Sequence, residues 1–188
     1  MVTAERALKE LIDGNEKYVR DIARQGMSSE ERGGLVGGQE PYAIILSCAD
    51  SRVVPEAIFD ADIGEIFVIR VAGNIANKSS IGSIEYAVAH LGTKLIAVMG
   101  HENCGAVTAA LAGGDNGPNI NHLCDHITPA VEASDSKEVN PVVKLNARLT
   151  AQELVNQSSI ISEALNDGLK IVPAYYNLSN GKVDFLEA

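Results

Sequence analysis

Cysteine is scarce in this chain of 188 residues, and the three present are an odd number, so a disulfide framework is not its organising device. In a reducing compartment such thiols serve as metal ligands or as buried apolar groups. Basic residues are also few: 15 Lys and Arg stand against 25 Asp and Glu, for a net charge of −10 spread along the chain. That balance excludes the clustered positive charge that nucleic acid requires and reads as a solubility feature. Long apolar runs are missing too, and all fall far short of the ~20 residues of a membrane helix. The first seventeen residues carry Glu5, Arg6, Lys9, Glu10, Asp13, Glu16 and Lys17, leaving no apolar centre for a signal peptide. A cytoplasmic protein with neither a nucleic-acid nor a membrane partner is therefore expected.

What is present is enough for one ordinary α/β domain, with 46% apolar and 21% charged residues. Residues 3 to 23 show apolar positions at helical spacing (Ala4, Ala7, Leu8, Leu11, Ile12, Tyr18, Val19 and Ile22), with Thr3 as N-cap and Gly14 as a blemish. So one-sided a stripe must lie on this chain's own core or on a partner's. Residues 24 to 40, rich in glycine and charge, read as a loop with at most a short helix.

From Ala43 the pattern changes. Three mostly apolar runs, 43 to 48, 66 to 71 and 95 to 100, read as strands covered on both faces, with helical patterns after Pro55 and from about Ser80 to Leu91 between them. Such alternation predicts a mainly parallel sheet flanked by helices. A helix through Leu111, a surface loop at 113 to 119 and helices near 122 to 134, 141 to 157 and 159 to 167 follow, with Gly168 as a C-cap. Leu169 to Asn177 and Lys182 to Leu186 read as a strand and its hairpin return, with Asn180-Gly181 in the tight turn.

Two reactive clusters sit at the ends of apolar runs: Cys48-Ala49-Asp50-Ser51-Arg52 and His101-Glu102-Asn103-Cys104. Ligands of a parallel sheet gather beyond the carboxyl ends of its strands. If the first and third strands are neighbours, Cys48 and His101 meet there, and Cys104, in the first turn of the next helix, faces the same point. Two thiolates and one imidazole suit zinc with a fourth position left for chemistry, whereas a closed structural zinc would recruit a further Cys or His. Cys48, Asp50 and Arg52 alternate along what reads as an extended segment and so share a side. Alone, Cys48 is an ordinary core thiol and Asp50-x-Arg52 an ordinary surface pair; their joint placement makes the metal reading.

With these residues in view the chain resembles the β-class carbonic anhydrases. The likeness runs from Gly38-Gln39 through Cys48 to Arg52, Phe67 to Asn74, Gly82 to Ala87, Gly100 to Ala106, and Ala174 to Leu178 with Gly181 to Val183. It implies a sheet of four parallel strands with an antiparallel edge strand, in homodimers or homotetramers whose N-terminal helix lies over the neighbouring subunit. It further implies Zn2+ held by Cys48, His101 and Cys104, with Asp50 as an extra ligand only in a closed state. The implied reaction is reversible hydration of CO2 to bicarbonate and a proton by zinc-bound hydroxide, assisted by the catalytic pair Asp50 and Arg52. Gln39, Phe67, Tyr86 and Gly105 are implied as substrate-site residues, the aromatics partly across a subunit boundary. Members with a regulatory bicarbonate pocket often carry a tryptophan before the first zinc cysteine; here the chain has Ile45 and no tryptophan at all. A hydrolase of CS2 or COS on the same scaffold, or a non-catalytic zinc protein, are the alternatives, the last disfavoured by the intact Gln39, Asp50 and Arg52.

Other candidates read as structural. His122, Cys124 and His126 resemble a metal cluster, but Cys124 lies well round the helix from the two imidazoles, so a polar helix start is expected. His90 suits a helix C-terminus, the 113 to 117 loop lacks the strand and Lys-Ser of a phosphate cradle, and Tyr175-Tyr176 suit core and interface.

Overall fold

A computed structural model describes residues 2–22 and 29–187, with only the backbone for 29–31. Helix α1 (Ala4–Val19) opens the chain, and the Thr3 side chain accepts from the Arg6 N–H at its start. Its expected extension to residue 23 stops at Val19 and a short turn, and residues 24 to 28 of the expected loop lie outside those described. A short helix α2 (Ser29–Gly34) precedes strand β1 (Ala43–Ser47), then α3 (Pro55–Ile58), β2 (Ile66–Arg70), a 3₁₀ turn at Ala72–Asn74, α4 (Lys78–Leu91) and β3 (Leu95–His101). Helices α5 (Gly105–Ala112), α6 (Pro118–Ala133), α7 (Val139–Gln157) and α8 (Ser159–Asn166) follow, and β4 (Lys170–Tyr176) and β5 (Val183–Phe185) close the chain. Among the described residues, no helix is long and apolar enough to cross a membrane.

The sheet order is β2-β1-β3-β4-β5, with β1 to β4 parallel and β5 antiparallel at one edge. Side chains alternate across it as the two-residue period demands. Ile45, Ala97 and Met99 face a layer built on α1 and α3, with Ala7, Leu11 and Phe59. Ile44, Leu46, Ile96 and Val98 face α4, α7 and α8, with Ile84, Leu154 and Ile161. Because β1 and β3 are covered on both sides, their residues are uniformly buried, whereas β2 at the outer edge is mostly half-exposed.

Helix α1 lies on its own chain. Gly14, a blemish by propensity, has a packing reason: a Cβ there would stand 1.8 Å from the Phe59 carbonyl oxygen, so only glycine lets the helix approach so closely. Next to it buried Asn15 donates to the carbonyls of Ile58 and Gly181 and accepts from the Val183 N–H, tying α1 to β5. Ile12 and Val19 remain exposed on its outer side. The hairpin is wider than a two-residue turn: the Asn177 N–H donates to Lys182 O, with Gly181 in the left-handed region at φ 75°.

Candidate metal centre

Strands β1 and β3 are neighbours in register, Ser47 opposite Met99. Cys48 leaves the end of β1 as His101 ends β3, which sets both at one corner of the sheet. The chain then reverses through Asn103, a non-glycine residue at φ 54°, and returns Cys104 to the same corner. The reversal is anchored at each step: the Glu102 N–H donates to Tyr176 O, the Glu102 carboxylate accepts from the Ser179 N–H, and the Asn103 N–H donates to the Asn140 side chain. Cys104 occupies the N-cap of α5, one position before the first turn in which it was expected.

The ligand atoms of Cys48, His101 and Cys104 lie within 4.8 Å of one another, the only such trio of His, Cys, Asp or Glu among the described residues. The two sulfurs are 3.9 Å apart. A tetrahedral zinc with its usual sulfur bond lengths sets two sulfurs ~3.8 Å apart. His101 is fully buried; its Nδ1 stands 2.9 Å from the Glu102 carbonyl, while Nε2 has no hydrogen-bond partner. An Nδ1–H donating to that carbonyl leaves the Nε2 lone pair for a metal, the usual outer-shell arrangement of a metal-binding histidine. A buried imidazole nitrogen left without a partner is costly in a metal-free protein and natural in a zinc protein. Donation from the Cys104 thiol, aided by His101 and the Gly73 N–H, holds the Cys48 thiol well below its ordinary range, while Cys104 is pushed up by the same contact and by burial. A divalent cation between them would favour both as thiolates. These residues fit zinc.

Beside the cluster, Asp50 accepts from Arg52 Nε at 2.9 Å, Nη2 at 2.8 Å and the backbone N–H at 3.0 Å. Arg52's side chain first, then its backbone N–H, hold the Asp50 carboxyl far below the usual range despite some desolvation. The two residues do not meet along an extended segment, as their alternation suggested. The chain turns at Ser51–Arg52, the Val53 N–H donating to Asp50 O, and the carboxylate closes a ring on the backbone. Asp50 Oδ2 ends 3.9 Å from His101 Nε2, on the arginine and beside the thiol–imidazole trio.

A family model described as "Carbonic anhydrase" matches residues 43–183. Carbonic anhydrase 2 of Mycobacterium tuberculosis is 39% identical over 190 residues, spanning 96% of this chain and 90% of that protein. A carbonic anhydrase of Mycolicibacterium smegmatis is 35% identical over 187 residues, with 95% and 91% covered. The chain belongs to the β-carbonic anhydrase family. A crystal structure of the β-carbonic anhydrase CafA of Aspergillus fumigatus superposes with a TM-score of 0.77 at 27% identity, covering 97% of this chain and 90% of that one. A tetrameric β-carbonic anhydrase of Sordaria macrospora shares the fold, with a TM-score of 0.78 at 24% identity over 97% and 98% of the two chains. β-Carbonic anhydrases are zinc enzymes, and the expected parallel sheet with one antiparallel edge strand is the observed one.

Of the remaining residues that the β-carbonic anhydrase likeness points to, Gly105 lies at this corner next to Cys104, whereas Phe67, Tyr86 and Gln39 do not gather there within one chain. Phe67 stands opposite Ile44 in the β2 register, four residues before Cys48 along the neighbouring strand and therefore ~13 Å down the sheet. Tyr86 on α4 packs on Phe67, centroids 6.4 Å apart, and on His90 at 5.1 Å, and is 49% exposed. Gln39 is exposed and precedes the start of β1, at the opposite end from Cys48. Gly105, the first residue of α5, has open space where a Cβ would be, so nothing in its own chain requires glycine there. Ile45, in the place of the family's occasional tryptophan, is fully buried in the sheet core.

Two supports of the corner were not legible in the sequence. Arg70, at the end of β2 opposite Ser47, donates from Nε to Cys48 O at 3.1 Å and from Nη2 to Asp50 O at 2.6 Å, holding the loop that carries both. Gly73 donates its N–H to Cys48 Sγ at 3.4 Å, and buried Asn146 of α7 donates to the Gly73 carbonyl at 2.9 Å. Gly73 is fixed as glycine by φ 74° and by Ile127 Cδ1, 2.6 Å from where its Cβ would stand.

Proposed function

We propose that this chain hydrates CO2 reversibly to bicarbonate and a proton at zinc held by Cys48, His101 and Cys104. The observation that carries the reading is the partnerless Nε2 of buried His101, flanked by two thiols, with an arginine-fixed carboxylate next to it. When bound, zinc supplies hydroxide from water near neutral pH. Cys48 and Cys104 as thiolates and His101 as a neutral ring would hold the ion, and Asp50 Oδ2 stands 3.9 Å from His101 Nε2, the ring nitrogen that would face it. Asp50 stays an acceptor because its charge is fixed by Arg52; it takes a hydrogen bond from the nucleophile and orients it toward the substrate carbon. Arg52 keeps Asp50 from turning onto the metal itself, the move that would close the site. Arg70 keeps the whole 48–50 loop in place through its carbonyls.

The apolar and amide groups for CO2 and bicarbonate come, in this reading, from a second copy. Phe67 and Tyr86 lie together on the outer side of β2, an edge strand whose far edge has no strand partner among the described residues. A two-fold pairing along that edge would place one copy's Phe67, Tyr86 and Gln39 near its neighbour's Asp50, with the exposed outer side of α1 lying over the partner. The unit is then a homodimer or a tetramer of two such dimers. Its three cysteines form no disulfide with one another, which suits the cytoplasm.

Stopped-flow CO2 hydration tests the reaction: turnover should rise toward alkaline pH and vanish when the metal is chelated. Turnover that survives full removal of zinc would end the proposal.

A further inference from the structure

A cleft of about 590 Å³ lies between α6 and α7, and none of its lining residues belongs to the Cys48 cluster. On its α6 wall stand His122 and His126, four residues apart and so on one face of the helix. Their rings meet edge to face, centroids 4.9 Å apart at 83°. From α7, Glu153 reaches to 3.4 Å from His126 Nδ1, and Gln157 Nε2 donates to the same carboxylate oxygen at 2.5 Å. Asp125 completes an acidic lining on the α6 side.

We propose that this cleft is a second, weaker site for a divalent late transition cation, with His122 and His126 as its protein ligands. Three features point there. Two imidazoles one helical turn apart form a chelating pair for zinc, nickel or copper. A carboxylate against Nδ1 of a histidine selects the tautomer whose Nε2 is free to bind metal, so Glu153 braces His126 rather than joining the ion. The third is that the two rings meet edge to face at 4.9 Å on the cleft wall, which sets His122 beside His126 facing the same space. Asp125 and Glu153 supply negative charge to a cation, and the cleft has room for the waters that fill its remaining positions. Cys124, two residues from each histidine, does not line the cleft and is not a ligand.

With two protein ligands rather than three, this site exchanges its metal while the Cys48 cluster retains its own. The test is equilibrium dialysis of the zinc-loaded protein against Zn2+ ions, with bound metal measured per chain. Wild type should show one retained equivalent and one saturable, exchangeable equivalent. His122→Ala and His126→Ala should each lose the exchangeable equivalent, and Glu153→Gln should weaken it by roughly 10–100-fold. All three variants should keep the retained zinc and their hydratase rate without added metal, showing that the fold and the Cys48 centre are intact. A single equivalent in wild type at every zinc concentration would overturn the proposal. So would an exchangeable equivalent that persists unchanged in the His122→Ala/His126→Ala double variant, while undiminished binding by Glu153→Gln would remove the carboxylate from it.

Discussion

The corner beyond β1 and β3 and the outer side of β2 belong to the same sheet, yet at one the candidate ligands converge within the chain, while at the other Phe67 and Tyr86 stand apart from them. At the corner Cys48, His101 and Cys104 are buried, converge within 4.8 Å, and are held by contacts from Arg70, Gly73, Asn140 and Tyr176. On the β2 side, Phe67 packs on the core beneath α4 and on Tyr86 of that helix, which also meets His90 and is 49% exposed, while Gln39 lies at the opposite end of β1 from Cys48. A metal centre built at the ends of paired strands holds its ligands more precisely than one built on loops. A substrate pocket can be assembled from two surfaces, provided each holds its part in shape.

The sharpest way to break this contrast is at the corner itself. His101→Ala and Cys104→Ser should lose both zinc and hydration, by more than the roughly 10–100-fold that removal of an outer-shell partner costs. Zinc content by elemental analysis and the stopped-flow rate check it together. Asp50→Ala comes next: zinc should stay near one per chain while kcat/KM falls about 10²-fold, as expected for a positioned proton-accepting group. A fully active variant would take Asp50 out of the reaction. On the β2 side, Tyr86→Ala should keep zinc and lower kcat/KM by about tenfold, the scale of one apolar pocket contact. Mixing it with Cys104→Ser and allowing subunits to exchange should restore part of the lost rate, since one composite site is then intact; no recovery would mean that each chain builds its own pocket. The smallest effect is expected at Arg70 and Asn146, whose replacement by Ala should speed zinc loss to a chelator while leaving the hydratase rate of the zinc-loaded protein within a few-fold of wild type.

The pH behaviour separates the same two regions. Arg52 lowers the Asp50 pKa in the folded protein, so the stabilising pair is present above the ordinary Asp value of about 3.9 and is lost only as pH falls through the lower folded value. Across about pH 5 to 9 Asp50 therefore does not titrate. The alkaline rise in hydration should thus persist in Asp50→Asn at lower amplitude, its midpoint displaced only as far as loss of the neighbouring negative charge moves it; disappearance of the rise would assign the titration to the carboxylate.

Much of this was legible in the residues because the strands are continuous apolar runs and the reactive groups sit at their ends. Neighbouring strands, once formed, leave Cys48 and His101 little choice but to meet. The supports were hidden for the opposite reason. Arg70 matters only because β2 pairs with β1 in a register that sets it opposite Ser47, and Asn146 only because α7 crosses the 3₁₀ turn at Gly73. Gly14 looked like a defect in α1 because helix propensity carries no information about the Phe59 carbonyl against which the helix packs. The Asp50–Arg52 contact was anticipated by the wrong geometry: a turn closed by the side chain, not alternation along a strand, brings them together. His122 and His126 were visible as a pair, but the carboxylate facing them comes from another helix.

The most direct test of the account is zinc stoichiometry measured with hydration rate on the same samples of wild type, Cys48→Ser, His101→Ala and Cys104→Ser. The account predicts one tightly held zinc and CO2 turnover in wild type, and the loss of both in each variant. Tightly bound zinc and undiminished turnover in any of the three would contradict it.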